Sequence, residues 1–391
     1  MYKIQTLNKI DQEGLQVFPS SKYEISNDIA QPDAIVLRSF SMHDMEIPQS
    51  VKAIARAGAG VNNIPIAKCT ENGIVVFNTP GANANGVKEL VIAGLLMASR
   101  DLVGGVQWAK TLIGEGDKVP PLVEKGKANF GGSEIKGKTL GVIGLGAIGV
   151  LVANAAQSLG MKVIGYDPYI SIDHAWNLHH DVTRAYGIEP MLAKADFITL
   201  QVPLLAETTG FINTERIKLM KDGVKILNFA RGELVVDADI IAALNGGKVG
   251  AYLTDFPNEE LLKCDKVMAI PHLGASTNES EVNCAIMAAE QIRNFFENGN
   301  IRNSVNFPGA ELERNNGARL LVTNKNIPNI ISQITTILAQ AGINIDNMLN
   351  KNKGDIAYNI IDASNETLSD DIIAKVKALD GVFVVRALAA K

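Results

Sequence analysis

Thr139-Leu140-Gly141-Val142-Ile143-Gly144-Leu145-Gly146-Ala147-Ile148-Gly149 decides the reading of this chain. An apolar run passes directly into a GxGxxG string, and a helical pattern follows as far as Leu159-Gly160. A second apolar run, Met161 to Tyr166, then ends in Asp167. A glycine string alone is weak, but a strand before it, a helix after it and an acid at the next strand's end form a βαβ unit. In such a unit Gly144 permits the tight turn, Gly146 lets backbone approach a pyrophosphate, and Gly149 lets helix and strand pack closely. The phosphates then meet the free N–H groups and positive dipole end of the helix that begins at Ala147-Ile148. Asp167 stands 23 residues after Gly144, near the spacing of about 20 for an acid that accepts the ribose hydroxyls. Its charge would repel a 2′-phosphate, which favours NAD over NADP.

The rest of the α/β region follows the same alternation. Strands are expected at Phe197–Leu200, Lys225–Asn228, Gly250–Leu253 and Val267–Ile270, each apolar on nearly every residue as strands buried on both faces are. Upstream, Ala34–Leu37, Ala53–Ala55 and Ile74–Phe77 read as further buried strands, punctuated by Pro48, Gly58-Ala59-Gly60 and Pro80-Gly81. From Gly86 to about Lys110 one long helical pattern carries the chain onward. A helix is expected from Glu279 to Glu297, then a polar, Asn-rich linker from Glu311 to Gly317. Beyond it the order β-α-β-β-α-β predicts a ferredoxin-like module, with strands at 319–323, 344–349, 355–362 and 382–387 and helices at 329–341 and 369–379. The fold class is therefore α/β, with two Rossmann-like doubly wound domains, a cleft between them, and the small module at the end. The expected boundaries are 1–89, completed by 276–310, for the first domain; 90–275 for the nucleotide domain; and 311–391 for the terminal one.

Composition narrows the function. The chain has 391 residues, 47% hydrophobic and 20% charged, with a formal net charge of −5. No block of like charge suits nucleic acid or an anionic membrane. The longest apolar run, Leu90 to Ala98, is far short of the roughly 20 residues a membrane span needs. The three cysteines, Cys69, Cys264 and Cys284, form no CxxC pair, which argues for reduced thiols in the cytoplasm. His179 and His180 sit in a polar segment; adjacent histidines commonly point apart, so no metal is expected there.

Three strand ends carry chemistry. Asn228-Phe229-Ala230-Arg231-Gly232 places a guanidinium just past one strand, Glu259 follows another, and Pro271-His272-Leu273-Gly274 puts an imidazole past a third. Open α/β sheets bind ligands at such carboxyl ends. Oxidation of a 2-hydroxy acid uses all three: Arg231 to grip the carboxylate with its planar fork, His272 to take the hydroxyl proton near neutral pH, and Glu259 to orient the ring and favour its protonated form.

These residues, with Arg56-Ala57-Gly58-Ala59-Gly60-Val61, Asn78-Thr79-Pro80-Gly81 and Asp255-Phe256-Pro257, resemble the NAD-dependent D-2-hydroxyacid dehydrogenase family, in its short, phosphoglycerate-oxidising branch ending in an ACT domain. The resemblance implies oxidation of 3-phospho-D-glycerate to 3-phosphohydroxypyruvate, the first step of L-serine biosynthesis. It implies Arg231, Glu259 and His272 as catalytic residues. Thr79, Gly144, Gly146, Ala147, Ile148, Gly149, Asp167, Phe229, Ala230, Asp255, Leu273 and Gly274 would contact NAD. Arg38, Arg56, Gly58, Ala59 and Gly60 would hold the substrate's anionic groups. The family's Asp-Val-Phe reads Thr254-Asp255-Phe256 here, a shift that leaves Glu259 and Glu260 both open as partners of His272; counting from Phe256 favours Glu259. The ACT-like tail implies a homodimer or homotetramer and an amino-acid effector such as serine at Asn324, Asn326 and Asn344. Rival readings are a dehydrogenase of the glyoxylate/hydroxypyruvate reductase type, and a catalytically silent NAD-sensing protein.

Overall fold

A computed structural model describes residues 1–390. It divides into two compact units, Met1–Ala82 with Glu281–Lys391, and Asn83–Ser280. The first unit opens with five parallel strands: β1 (Tyr2–Leu7), β2 (Tyr23–Ser26), β3 (Ala34–Leu37), β4 (Ala53–Arg56) and β5 (Val75–Phe77), in the order β2-β1-β3-β4-β5. Two of these strands, β1 and β2, fall where no strand is expected. Tyr2–Leu7 has one buried residue, Ile4, among partly exposed ones, so it lacks the unbroken apolar run that marks a strand covered on both faces.

The second unit holds a seven-stranded parallel sheet: β6 (Thr139–Ile143), β7 (Lys162–Tyr166), β8 (Thr183–Arg184), β9 (Phe197–Leu200), β10 (Val224–Asn228), β11 (Val249–Thr254) and β12 (Val267–Ala269). Its order, β12-β11-β10-β9-β6-β7-β8, reverses direction between β6 and β9, the switch point where doubly wound sheets bind ligands. The long helix expected from Gly86 is two helices, Ala84–Ser99 and Leu102–Lys110. Arg100 turns extended at φ −145°, and the Asp101 carboxylate accepts the Gly104 N–H at 2.8 Å to start the second. The apolar spacing runs on through Leu102, so periodicity alone conceals the break.

The C-terminal module is a four-stranded antiparallel sheet, β13 (Ala318–Lys325), β14 (Ile345–Lys353), β15 (Ile356–Ala363) and β16 (Val382–Leu388), in the order β14-β15-β13-β16. One face, with Leu320, Val322 and Ile361, packs on the helices Ile330–Gln340 and Asp370–Lys377. The other, with Leu321, Tyr358 and Ile360, joins the core of the first unit against Phe295 and Phe296. Alternate residues of the same strands thus serve two cores, as a period of two requires.

Glu311–Gly317 is not a free linker. The carbonyls of Leu312 and Glu313 accept from the fully buried Arg319. That guanidinium forks onto Asp362 at 2.6 and 2.9 Å and also reaches the Asn298 carbonyl at 2.8 Å. All of its charge is matched, the condition under which a buried ion pair persists. Arg386 lies 4.4 Å over the Phe295 ring and donates to the carbonyls of Phe295 and Phe296, and the Tyr358 hydroxyl donates to the Gly299 carbonyl at 2.7 Å. The last turn of the helix Asn278–Asn298, whose carbonyls have no partners within the helix, is therefore capped by cations from the C-terminal sheet, where the helix dipole favours positive charge.

Candidate active site

In the second unit the glycine turn has the backbone its string demands. Gly144 adopts φ +91°, and a Cβ there would come within 2.5 Å of the Gln201 carbonyl oxygen. A Cβ on Gly149 would run into the Gly144 carbonyl. Around the position a Gly146 Cβ would take, no described residue beyond its chain neighbours comes within 4 Å, so that stretch of backbone is bare. Gly146 is also the N-cap of the helix Ala147–Ser158, with no side chain of the described residues capping it. Asp167 borders the same turn: its carboxylate accepts the Leu145 N–H and the Tyr169 N–H, both at 2.8 Å. An open glycine face, uncapped helix N–H groups and an acid beside them fit the pyrophosphate and ribose of NAD.

The carboxyl ends of β10, β11 and the β12 region carry the candidate reactive groups. Asn228, fully buried at the end of β10, donates to the Arg231 carbonyl at 2.8 Å and contacts the Tyr252 hydroxyl at 3.3 Å. Its Oδ1 accepts the Ala230 N–H. One buried amide thus shapes the loop that presents Arg231, whose guanidinium is exposed and folds back on the Ala230 carbonyl at 2.6 Å. Phe229 is buried against Gly94.

His272 lies against Phe256, ring centroids 4.7 Å apart and planes tilted by 56°. It shares a recess with Gly232, Asp255, Pro257 and Pro271. The carboxylate that faces it electrostatically is Asp255: burial raises the Asp255 carboxyl above its ordinary range, and the positive charges of His272 and then Arg231 oppose the rise. Asp255 is 1% exposed, and the nearby backbone N–H of Gly274 offsets part of its burial. Glu259 stands elsewhere. It opens the short helix Glu259–Leu262, its side chain is 84% exposed, and it pairs with Lys263 at 3.2 Å. Glu260 holds the same lysine at 2.8 Å. The shift of the aspartate by one position has thus put a buried acid near the imidazole. Gly274 is buried and Leu273 exposed just beyond.

In the first unit, β4 ends in Arg56. Its Nε donates to the Arg38 carbonyl at 3.0 Å, and its guanidinium fills the space that a Cβ on Gly58 would need. Glycine at 58, with φ +157°, is therefore the condition for Arg56 lying where it does. Burial and the nearby Arg38 hold the Arg56 pKa below its ordinary value. Ala59 and Gly60 continue the loop, and the Ala59 carbonyl accepts from Asn78 at 2.6 Å. The Thr79 N–H donates to the Gly58 carbonyl at 3.1 Å, and Thr79 is fully buried.

Asn324 is engaged inside the C-terminal sheet. It is 2% exposed, accepts from Asn359 at 2.6 Å and donates to the Lys325 carbonyl. Asn326 and Asn344 are exposed. His179 and His180 do not diverge; a turn closed by the Val182 N–H on the His179 carbonyl stacks their rings 4.3 Å apart. With Asp181 they bring ligand atoms within 4.8 Å of one another on an exposed edge. Asn228, Tyr252 and Glu281 carry no motif that marks them in the sequence, yet Asn228 and Tyr252 shape the Arg231 loop and Glu281 binds Arg38 at 2.5 Å.

A doubly wound unit with this glycine turn, and a cation and an imidazole at its strand ends, defines a nicotinamide-dependent dehydrogenase fold. Residues 92–274 match the family described as D-isomer specific 2-hydroxyacid dehydrogenase, NAD binding domain. The chain belongs to that family. It is similar to the D-3-phosphoglycerate dehydrogenase of Archaeoglobus fulgidus, 38% identical over 74% of this chain and 54% of the relative. A Schizosaccharomyces pombe protein provisionally given the same name is 30% identical, over 92% of this chain and 80% of its own length. The NAD+-bound crystal structure of 3-phosphoglycerate dehydrogenase from Entamoeba histolytica superposes with a TM-score of 0.59 at 28% identity, covering 78% of this chain and 98% of that one. The chain spans 54% to 57% of the length of the archaeal and cyanobacterial relatives it matches. Among the described residues, no helix is long and apolar enough to cross a membrane.

Proposed function

We propose that the chain is an NAD-dependent D-3-phosphoglycerate dehydrogenase that oxidises 3-phospho-D-glycerate to 3-phosphohydroxypyruvate, the entry step of L-serine biosynthesis in the cytoplasm. The observation that carries this reading is the placement of Arg231 and His272 just past the strand ends of a sheet whose glycine turn suits NAD, with buried Asp255 lining the same recess as His272. The relatives named for the same activity support it.

NAD, when bound, supplies the acceptor for the hydride lost from C2 of the acid. Gly144, Gly146, Ala147, Ile148 and Gly149 would hold its pyrophosphate and Asp167 its ribose, with Phe229, Ala230, Leu273, Gly274 and Thr79 assigned to the remaining contacts. His272 takes the C2 hydroxyl proton at a ring nitrogen. Arg231 grips the carboxylate in its planar fork and stabilises the oxygen as the carbonyl forms. A carboxylate favours the imidazolium that results. The family pattern assigns this to Glu259, and Asp255 is the acid whose charge reaches His272 here. Arg38, Arg56 and the Gly58–Gly60 loop are assigned to the substrate's carboxylate and phosphate.

The C-terminal module is read as an ACT-like domain that supports a homodimer or homotetramer. Asn326 and Asn344 remain its candidates for an amino-acid effector such as serine, since Asn324 is committed within the sheet. The test is NADH formation from NAD and 3-phospho-D-glycerate, run beside D-glycerate and with and without serine. Turnover of D-glycerate at equal efficiency would replace this reading with a hydroxypyruvate reductase type, and no turnover of either would leave a nucleotide-sensing protein.

A further inference from the structure

Arg38 already holds an anion. Its guanidinium meets Glu281 Oε1 at 2.5 Å, both side chains only partly exposed, at 39% and 46%. The loop beneath is fixed: the Arg38 carbonyl accepts from Arg56 Nε at 3.0 Å and from Asn63 Nδ2 at 3.2 Å. Asn63 also donates to the Phe40 carbonyl at 2.7 Å. Arg56, half-buried, is turned toward the Gly58 backbone, and among the described residues it is in no salt bridge. Of the two guanidinium groups, one is neutralised from within the protein.

We propose that Glu281 is a specificity-determining residue. It is the resident occupant of Arg38, and the substrate's distal phosphate displaces it. This rests on the phosphoglycerate reading above and deepens it. Binding at Arg38 is then an exchange of anions, in which a bidentate phosphate replaces a carboxylate on the same fork. The loss of the Glu281 contact falls only on acids that reach Arg38, and a plain hydroxy acid with a single carboxylate is spared it. Glu281 thereby sets how much a phosphate adds to affinity, and it keeps an uncompensated guanidinium from capturing stray anions.

The experiment compares 3-phospho-D-glycerate with D-glycerate in the wild type, Glu281→Gln, Arg38→Ala and the double variant. Glutamine keeps the shape and removes the charge. Partly exposed ion pairs are weak, so the KM for phosphoglycerate relative to D-glycerate should fall about two- to fivefold in Glu281→Gln. In the Arg38→Ala background the same substitution should leave that ratio where Arg38→Ala alone puts it, because the two residues act through one contact. An unchanged or raised ratio in Glu281→Gln, or an equal shift in both backgrounds, overturns the proposal. Wild-type protein inactive on phosphoglycerate would instead overturn the functional reading on which it stands.

Discussion

On the proposed function, two parallel sheets in this chain would meet anions by opposite means. In the second unit, Ile143 passes through Gly144 into a twelve-residue helix, and the anion site is made of backbone: bare glycine, uncapped N–H groups and a helix dipole. In the first unit β4 ends at Arg56, and the next helix, Ile66–Glu71, is six residues long and begins only after Pro65. A short, distant helix offers little dipole. There the charge comes from side chains, Arg38 and Arg56, and glycine at 58 serves to make room for a guanidinium. The difference teaches that the same residue type, just past a strand, works by exposing backbone in one sheet and by seating a side chain in the other.

The largest effect expected from breaking this contrast is in the backbone site. Gly149→Val sets a branched side chain against the Gly144 carbonyl and should cost about 3 kcal/mol or more in stability, with loss of NAD binding, read by thermal melts and NADH fluorescence titration. Next is the reactive cation: Arg231→Ala should lower kcat/KM about a thousandfold with the melting temperature retained, and Arg231→Lys should restore little of it. In the side-chain site, Arg56→Lys should raise the KM for phosphoglycerate about tenfold while the KM for NAD holds, since an ammonium cannot reproduce a planar fork. Asp167→Ala should move the NAD over NADP preference by about tenfold toward NADP, measured as the ratio of kcat/KM values.

The smallest effect concerns Asp255. Its carboxyl is raised by burial, so the folded protein holds that proton more tightly than the unfolded chain does. The stability contribution is complete below the unfolded carboxylate range and is lost as pH climbs through the folded value, above which the charge is buried. Asp255→Asn should therefore raise the melting temperature near pH 7, by about 2–4 °C, and the gain should vanish in acid. An equal gain at both pH values would place the effect in packing instead.

Much of this was legible in residue order. The Gly144 string and the apolar strands after it are local patterns, and β6, β7 and β9 lie at the expected residues. Arg231 and His272 could be picked out because each follows a buried strand. What stayed hidden depends on distance in space. Glu281 meets Arg38 from a helix far along the chain, and neither residue carries a mark of the other. Whether Asp255 or Glu259 faces His272 turns on which way one strand end rotates. Asn324 looked like a ligand-binding amide because sequence does not show that Asn359 lies across from it.

The cap on the helix Asn278–Asn298 carries a consequence for shortening the chain. Ending it at residue 310 would remove Arg319, Tyr358 and Arg386 together, taking their donors from the carbonyls of Phe295, Phe296, Asn298 and Gly299 and the sheet face from the core around Phe296. The tail is a keystone of the first unit, so amputating it would fray the scaffold that carries Arg38 and Arg56.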